Sequence, residues 1–531
     1  MDKITQQAVV APKAPRHGMT GRLVFAEQAV PKTSAAGMRT AAAVTPGGKK
    51  GSGFFDRMFP ELPPLNVSEN DLEVLANAMK DASPNDPALD NSKIPSGFTY
   101  LGQFVDHDIT LDLSPLSGSI EDPAMLKNFR TPGLDLDCLY GAGQGPHRFL
   151  YRQDADKAKF LIGTAHASQD VGALPPIPDL PNDLERGRHG VALIGDHRND
   201  ENLLVAQTHL AMLKFHNKVV DLLKAQGVAD GDLFAEASKM VRWHYQWMVL
   251  HDWVERLCGT GIVAKILHDG RKFYRFQSVP FMPVEFAGAA YRLGHSMVRE
   301  EYSHNHCFRP LPPRIFGAPL SLLFNFSSLS GAINGEINGE RALPSNWVID
   351  WRRFYDFNTP AGTPNFEFND SRKLDPFIAP TLHQLPGFPA GREGNLAFRN
   401  LRRGVKLGLP SGQDVASFMN IPALTEAELS SGPDGAAAAS VGLHKKTPLW
   451  YYILKEAQVK GGSERLGPVG SQIVAEVFVG LVQGDQDSYL SQANWKPTLP
   501  AKTTGTFNMT DLLQFVGEIS PIDSITTVAT L

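Results

Sequence analysis

Gly102-Gln103-Phe104-Val105-Asp106-His107-Asp108 sets a carboxamide, an imidazole and two carboxylates within seven residues. Wound into a helix, the segment brings Gln103 and His107 to one face at i, i+4, with Asp106 beside them. An imidazole next to a carboxamide suits a site for water or a peroxide. A capped turn carrying a surface histidine accounts for the same residues equally well, because short motifs recur by chance.

Three further stretches carry the same kind of chemistry. Asp196-His197-Arg198-Asn199-Asp200-Glu201 places Arg198 and Glu201 at i, i+3 where a long apolar-periodic segment begins. An acidic first turn answering the helix dipole is the plain alternative. Phe286-Ala287-Gly288-Ala289-Ala290-Tyr291-Arg292-Leu293-Gly294-His295 puts Arg292 and His295 on one face behind a run of small residues. Those small residues let a large group approach closely, and histidine is the commonest metal ligand, although many such histidines are core residues. Asn400-Leu401-Arg402-Arg403, followed by Gly408-Leu409-Pro410, again pairs Asn400 with Arg403, or is simply a basic helix end with a glycine stop.

Composition narrows the setting. The chain has 531 residues and a net charge of −5, so no overall basic field exists to hold nucleic acid. With 48 Gly and 39 Pro, many loops and short helices are expected. Cys138, Cys258 and Cys307 cannot make a disulfide framework, and no zinc-finger spacing is present. The first residues lack a basic-then-apolar leader, and Ile473–Val482, interrupted by Glu476, is too short to span a bilayer. A cytoplasmic location is expected, with non-classical secretion as the other route, and no transmembrane segment.

Residues 1–60 read as a basic Pro/Gly/Ala-rich arm, partly disordered or packed on the body, with 61–531 forming one catalytic domain. Its first 50 residues hold eight Lys/Arg against two Asp/Glu. Helical spacing predicts helices over 201–226, 234–257 and 468–481 and a last short one near 511–517. Thr425 with Glu428 makes a capping box. Residues 141–190 and 308–390 are rich in loop signals, and GAINGEINGE at 331–340 reads as a turn-rich insertion.

Taken in chain order from Gly102 to Pro410, the four stretches resemble the animal-type haem peroxidases of the peroxidase–cyclooxygenase superfamily, in a cysteine-poor form that looks like a bacterial member. The resemblance implies a mainly α-helical single domain with few short strands, binding haem b and reducing H2O2 while oxidising small organic donors or halides. It implies His107 as distal acid–base residue with Gln103 its partner, Arg198 as distal arginine and His295 as proximal iron ligand. Asn400 would accept from the other ring nitrogen of His295, and Arg292 and Arg403 would pair with haem propionates. Asp106 and Glu201 match the carboxylates that form ester links to haem. Asp108 and the segment Thr131-Pro132-Gly133-Leu134-Asp135-Leu136-Asp137 match a calcium site, with Thr131, Asp135 and Asp137 giving side chains and Gly133 its carbonyl. Hard oxygen donors with three carboxylates suit Ca²⁺ on chemical grounds as well.

Some positions depart from the family pattern. Gly-Val-Lys-Leu follows Arg403 in place of the usual Arg-Asp-His, and Asn202 follows Glu201, so no sulfonium link to haem is expected. Two rival readings stay open. A fatty-acid dioxygenase of the cyclooxygenase-like branch would need a tyrosine where Arg292 stands; Tyr291 is one residue away. A non-enzymatic haem-binding protein would need His295 but not Gln103, His107 and Arg198. The sequence does not state the oligomeric state.

Overall fold

The computed structural model of the chain describes residues 54–111, 128–168, 177–187, 190–308, 317–327, 335–337, 340–360, 362–363 and 366–523. Helices dominate, and the strands described form only two-stranded pairs. The principal helices are α1 (Glu69–Ala78), α2 (Gly97–Ile109), α3 (Leu203–Ala225), α4 (Leu233–Met248), α5 (Leu396–Lys406), α6 (Leu449–Lys460) and α7 (Pro468–Gly484). One continuous apolar core runs through all of them.

The sequence explains the placement of α2. Its Phe98, Leu101, Phe104, Val105 and Ile109 are buried on several faces, so the helix runs through the core rather than over it. Two glycines make that possible. A Cβ at Gly97 would lie 2.4 Å from the Tyr355 ring, and one at Gly102 would lie 2.7 Å from Trp253. Glycine inside a helix costs about 1 kcal/mol relative to alanine; at Gly102 it admits Trp253, and at Gly97, the first residue of the helix, Tyr355. On its other sides α2 packs against α3 and against the 3₁₀ segment Ala290–Met297.

α3 buries Leu203, Ala206, Leu210, Leu213 and Val220, the periodic set seen in the sequence. It begins at Leu203, not at 201. Asn202 is extended and its side chain accepts from the Val205 amide at 3.0 Å, which caps the helix there. Arg198 therefore belongs to a separate 3₁₀ turn, His197–Asp200, capped by Asp196. The helix expected over 234–257 is interrupted. α4 ends at Met248, a π-helical turn runs Val249–Val254, and a short α-helix follows over Glu255–Cys258. The capping box of Thr425 and Glu428 is present, and the last short helix is Met509–Val516.

Within α7, Glu476 breaks an apolar run yet is fully buried. It accepts from the amides of Lys272, Phe273 and Tyr274 at 2.8, 2.7 and 2.8 Å, which ties a loop to the helix. Among the described residues, no helix is long and apolar enough to cross a membrane.

Of the basic arm, residues 1–53 lie outside the described residues. Phe55–Asp56 pairs in parallel with Met282–Pro283, and Met58 and Phe59 are buried, their amides donating to Glu285. The body thus begins before residue 60. Within the 331–340 insertion, Gly335–Ile337 pairs antiparallel with Glu340–Ala342. Cys138, Cys258 and Cys307 are free and buried.

Candidate active site

Four elements converge where the sequence motifs meet: α2, the 3₁₀ turn His197–Asp200, the 3₁₀ segment Ala290–Met297, and α5. On α2, His107 is 5% exposed. Its Nδ1 lies 2.8 Å from Asn199 Oδ1, and its Nε2 lies 3.7 Å from Glu201 Oε1. Burial first, and then the Arg198 guanidinium, lower the pKa of His107 below the ordinary imidazole value. At neutral pH the ring is therefore uncharged and able to take a proton.

Gln103, one turn earlier, donates to Glu201 and accepts from Asn202 Nδ2 at 3.1 Å. Glu201 so becomes the meeting point of Gln103 and His107. Asp106 accepts from the Thr110 hydroxyl at 3.2 Å and is only half-buried. Arg198 is held more tightly than its motif suggests. Its Nε and Nη2 bond Asp196, and Nη2 also donates to the carbonyls of His107 and Thr110 at 3.0 and 2.7 Å. Burial alone would raise the Asp196 carboxyl, but Arg198 and Arg130 more than offset this and hold it well below the usual range.

On the opposite side, Arg292 and His295 stand three residues apart on a 3₁₀ segment, whose three-residue turn superposes them. His295 Nδ1 lies 2.8 Å from Asn400 Nδ2, and Asn400 Oδ1 lies 3.4 Å from Arg292 Nη1. The sequence placed this carboxamide as an acceptor toward His295; here its nitrogen faces the ring and its oxygen faces Arg292. Were Nε2 to hold a metal, Nδ1 would carry hydrogen and call for the amide oxygen, which here is turned to Arg292. Asn400 and Arg403 are buried on α5, and burial pushes Arg403 down to about 10. Arg399, which the sequence reading missed, is pushed down to about 10 as well, by burial and then by like charges including Arg292. Burial also lowers Arg292, and the charges of Asp106 and Arg198 reach it, so both sides border one site. Two buried guanidiniums, Arg399 and Arg403, and the half-buried Arg292 beside a histidine form a donor set that fits the iron and the two propionates of haem.

Tyr291 does not share the face of His295. Its hydroxyl accepts from Trp253 Nε1 at 2.7 Å and donates to the Gly102 carbonyl at 3.2 Å. It links the two sides of the site and is occupied in doing so.

Asp108 points away from His107 into a cluster with Asp135 and Asp137, whose ligand oxygens lie within 4.8 Å of one another. Asp108 is fully buried. Tyr245 and Cys138 border its carboxyl, but Oδ1 closes no ordinary hydrogen bond among the described residues. Burial, then Asp135 and Asp137, push Asp108 up, and burial first pushes Asp137 up. An orphaned buried oxygen facing two more carboxylates is chemistry that fits a hard cation. Thr131 and Gly133 sit in the same loop, where the Gly133 amide bonds the Thr131 carbonyl at 2.8 Å. Arg130, just before this loop, was not singled out from sequence. It bonds both Asp137, at 3.2 Å, and Asp196.

The helical scaffold brings His107 and His295, with Arg292, Arg399 and Arg403 beside the second of them, into one region whose donors fit haem. Residues 114–497 match the family model described as animal haem peroxidase, and the chain belongs to that family, which is named for its haem cofactor. The match begins after α2, so the Gly102–Asp108 stretch lies outside it. Thyroid peroxidase of Canis lupus familiaris is 27% identical over 34% of this chain and 20% of its own length. Chorion peroxidase of Drosophila melanogaster is 25% identical over 56% of this chain and 34% of its own. The chain thus spans 20% and 34% of the length of these curated relatives. Among solved structures, peroxidase A of Dictyostelium discoideum superposes with a TM-score of 0.58 at 15% identity, covering 89% of this chain and 95% of that one. Fatty acid alpha-dioxygenase of Oryza sativa gives 0.54 at 14% identity, covering 86% and 78%. These likenesses show the fold.

Proposed function

We propose that the protein is a haem-dependent peroxidase that reduces H2O2 and oxidises small organic donors, with halides as further candidates for the same site. The observation that carries this reading is His107: a buried neutral ring whose Nδ1 meets Asn199 and whose Nε2 faces Glu201. His295 would hold the haem iron and His107 would stand over its peroxide site; the haem would supply the oxidising equivalents. Nε2 of His107 takes the peroxide proton and returns it to the departing oxygen, work typically worth ~10²–10⁴ in rate. The Arg198 guanidinium, held by Asp196, stabilises charge on the breaking O–O bond. Asn400 is a neutral partner for His295, which leaves the imidazole less anionic than a carboxylate would and favours a higher reduction potential.

Asp106 and Glu201 would supply the two carboxylates for ester links to haem, and Arg292 and Arg403 would pair with its propionates. Asp108, Asp135 and Asp137, with Thr131 and Gly133, hold Ca²⁺. The test is an absorption spectrum of haem-supplied protein before and after a stoichiometric addition of H2O2. A Soret band that shifts within seconds and returns on adding a phenol supports the proposal. A Soret band indifferent to peroxide refutes the peroxidase reading, and the absence of any Soret band refutes haem binding.

A further inference from the structure

The side chain behind His107 is set by a second buried contact. Asn199 Nδ2 lies 3.0 Å from His209 Nδ1, so a single carboxamide bridges two imidazoles. Asn199 and His209 are both fully buried. His209, near the start of α3, packs edge-on against Phe104 of α2 with ring centroids 5.8 Å apart. Burial holds it neutral, with a pKa of about 3. Its Nε2 makes no hydrogen bond among the described residues.

We propose that Asn199, anchored by His209, is a positioning residue that fixes which nitrogen of His107 carries hydrogen. The proposal rests on the peroxidase reading of this pocket. An unanchored neutral imidazole distributes its hydrogen over both nitrogens, and only one of the two forms presents a lone pair at Nε2. Asn199 Oδ1 can only accept, so the bond at 2.8 Å requires N–H at Nδ1 and leaves Nε2 as the base. His209 holds the other end of the carboxamide, its Nδ1 facing Nδ2 while Oδ1 faces His107. A half-satisfied polar network in a core is costly, and an apolar side chain at 209 would pack without it. The direct outlet of the bridge is His107, which gives the arrangement a purpose in the chemistry.

The haem-loaded full chain is the material for the test, with three readouts: haem content and Soret position, the association rate of cyanide, and the second-order rate with H2O2. Hydrogen cyanide must surrender a proton to a distal base as it binds, so its rate reports the lone pair at Nε2 without turnover. Asn199→Leu is expected to keep haem and Soret position and to slow both cyanide and peroxide by roughly 10–100-fold, the range for lost partners of a functional histidine. His209→Leu slows both in the same direction, and His209→Gln, which restores a polar partner, recovers most of that loss. Asn199→Leu with full haem and both rates within about twofold of the parent, while His107→Ala slows both, overturns the positioning role alone. Unchanged rates in His107→Ala overturn the distal assignment and the positioning role with it. If Asn199→Leu fails to fold, the His209 pair decides: a glutamine that recovers nothing overturns the proposal.

Discussion

Tyr291→Phe separates the peroxidase reading from the dioxygenase one. The ring of Tyr291 stacks on Phe286 with centroids 4.9 Å apart at 7° and meets Phe478 edge-on, so phenylalanine keeps these contacts. What is lost is the hydroxyl. Trp253 Nε1 then has no acceptor, in a side chain only 1% exposed. A buried orphaned donor costs about 1–3 kcal/mol. The Gly102 carbonyl loses a second, longer bond whose share is small, because the helix already uses that oxygen. With an unfolding entropy near 2.1 cal/mol/K per residue, a chain of 531 residues loses about 1–3 °C of Tm for this change. Differential scanning fluorimetry of haem-loaded protein reads it. Trp253→Phe combined with Tyr291→Phe removes donor and acceptor together, so the double variant should cost less than the sum of the singles. Strict additivity would refute the hydrogen bond as the source. In parallel, oxygen uptake with a fatty acid in the absence of peroxide is expected to be absent in parent and variant alike. Peroxide-free oxygenation in the parent that disappears in Tyr291→Phe would refute the structural assignment of this tyrosine.

Four further outcomes follow from the same geometry. His107→Ala should lower the second-order rate with H2O2 by ~10²–10⁴, and Arg198→Ala by ~10²–10³, in stopped-flow traces; retained rates would remove these residues from the chemistry. Because His107 is lowered below its ordinary value near 6.5, the peroxide rate should hold level as pH falls through 6.5 and decline only below it; a decline already centred above 7 would contradict this. Burial holds His209 at about 3 and His216, His244 and His304 at about 4. The unfolded chain protonates these rings below about 6.5 and the folded chain does not, so stability is full above that pH and falls by up to about 1.4 kcal/mol per unit per ring beneath it; equal urea midpoints at pH 7 and 5 would count against it. Asp135→Asn, or chelation of the parent, should deplete bound calcium in elemental analysis and lower Tm, whereas an unchanged metal content would exclude this cluster as the site.

What was legible in the sequence was local. Gln103 with His107, Arg292 with His295, and Asn400 with Arg403 are pairs three or four residues apart, and helical geometry alone brings each pair to one face. The apolar spacing of α3 survived for the same reason. Where the chain chose between helix types, periodicity was silent. Nothing in the apolar pattern marks the π-helical turn at Val249–Val254, or the break between Arg198 and α3 that Asn202 imposes by capping. Pairings across long stretches of chain were equally hidden. Asn199 stands 92 residues from His107, and Trp253 stands 38 from Tyr291. No spacing rule connects residues whose neighbours are decided by packing. His209 shows the consequence: alone it reads as a core histidine, and only its contact with Asn199 makes it part of the site. One usable signal was overlooked. Arg130 lies directly before a loop with two aspartates, and a cation so placed commonly answers an acid.

That arginine explains how the distal side and the acidic loop share one charge balance. Arg130 joins Asp137 to Asp196, and Asp196 in turn holds Arg198. Counting Asp108 and Asp135, the connected group contains four carboxylates and two guanidiniums, which leaves two negative charges if all are ionised. Buried charge of one sign is relieved either by taking up protons or by a counter-ion. The first route is visible in the upward push on Asp108 and Asp137, while Asp196, clasped between two arginines, stays low. The second route is a dication, which closes the sum and leaves Arg130 and Arg198 on Asp196. The uncompensated charge thus sits on the carboxylates whose oxygens converge, and not on the one that holds Arg198. A metal there would complete the electrostatics that keep Arg198 on the carbonyl of His107, and Asp108, the next residue, ties that charge balance to the helix that carries the ring.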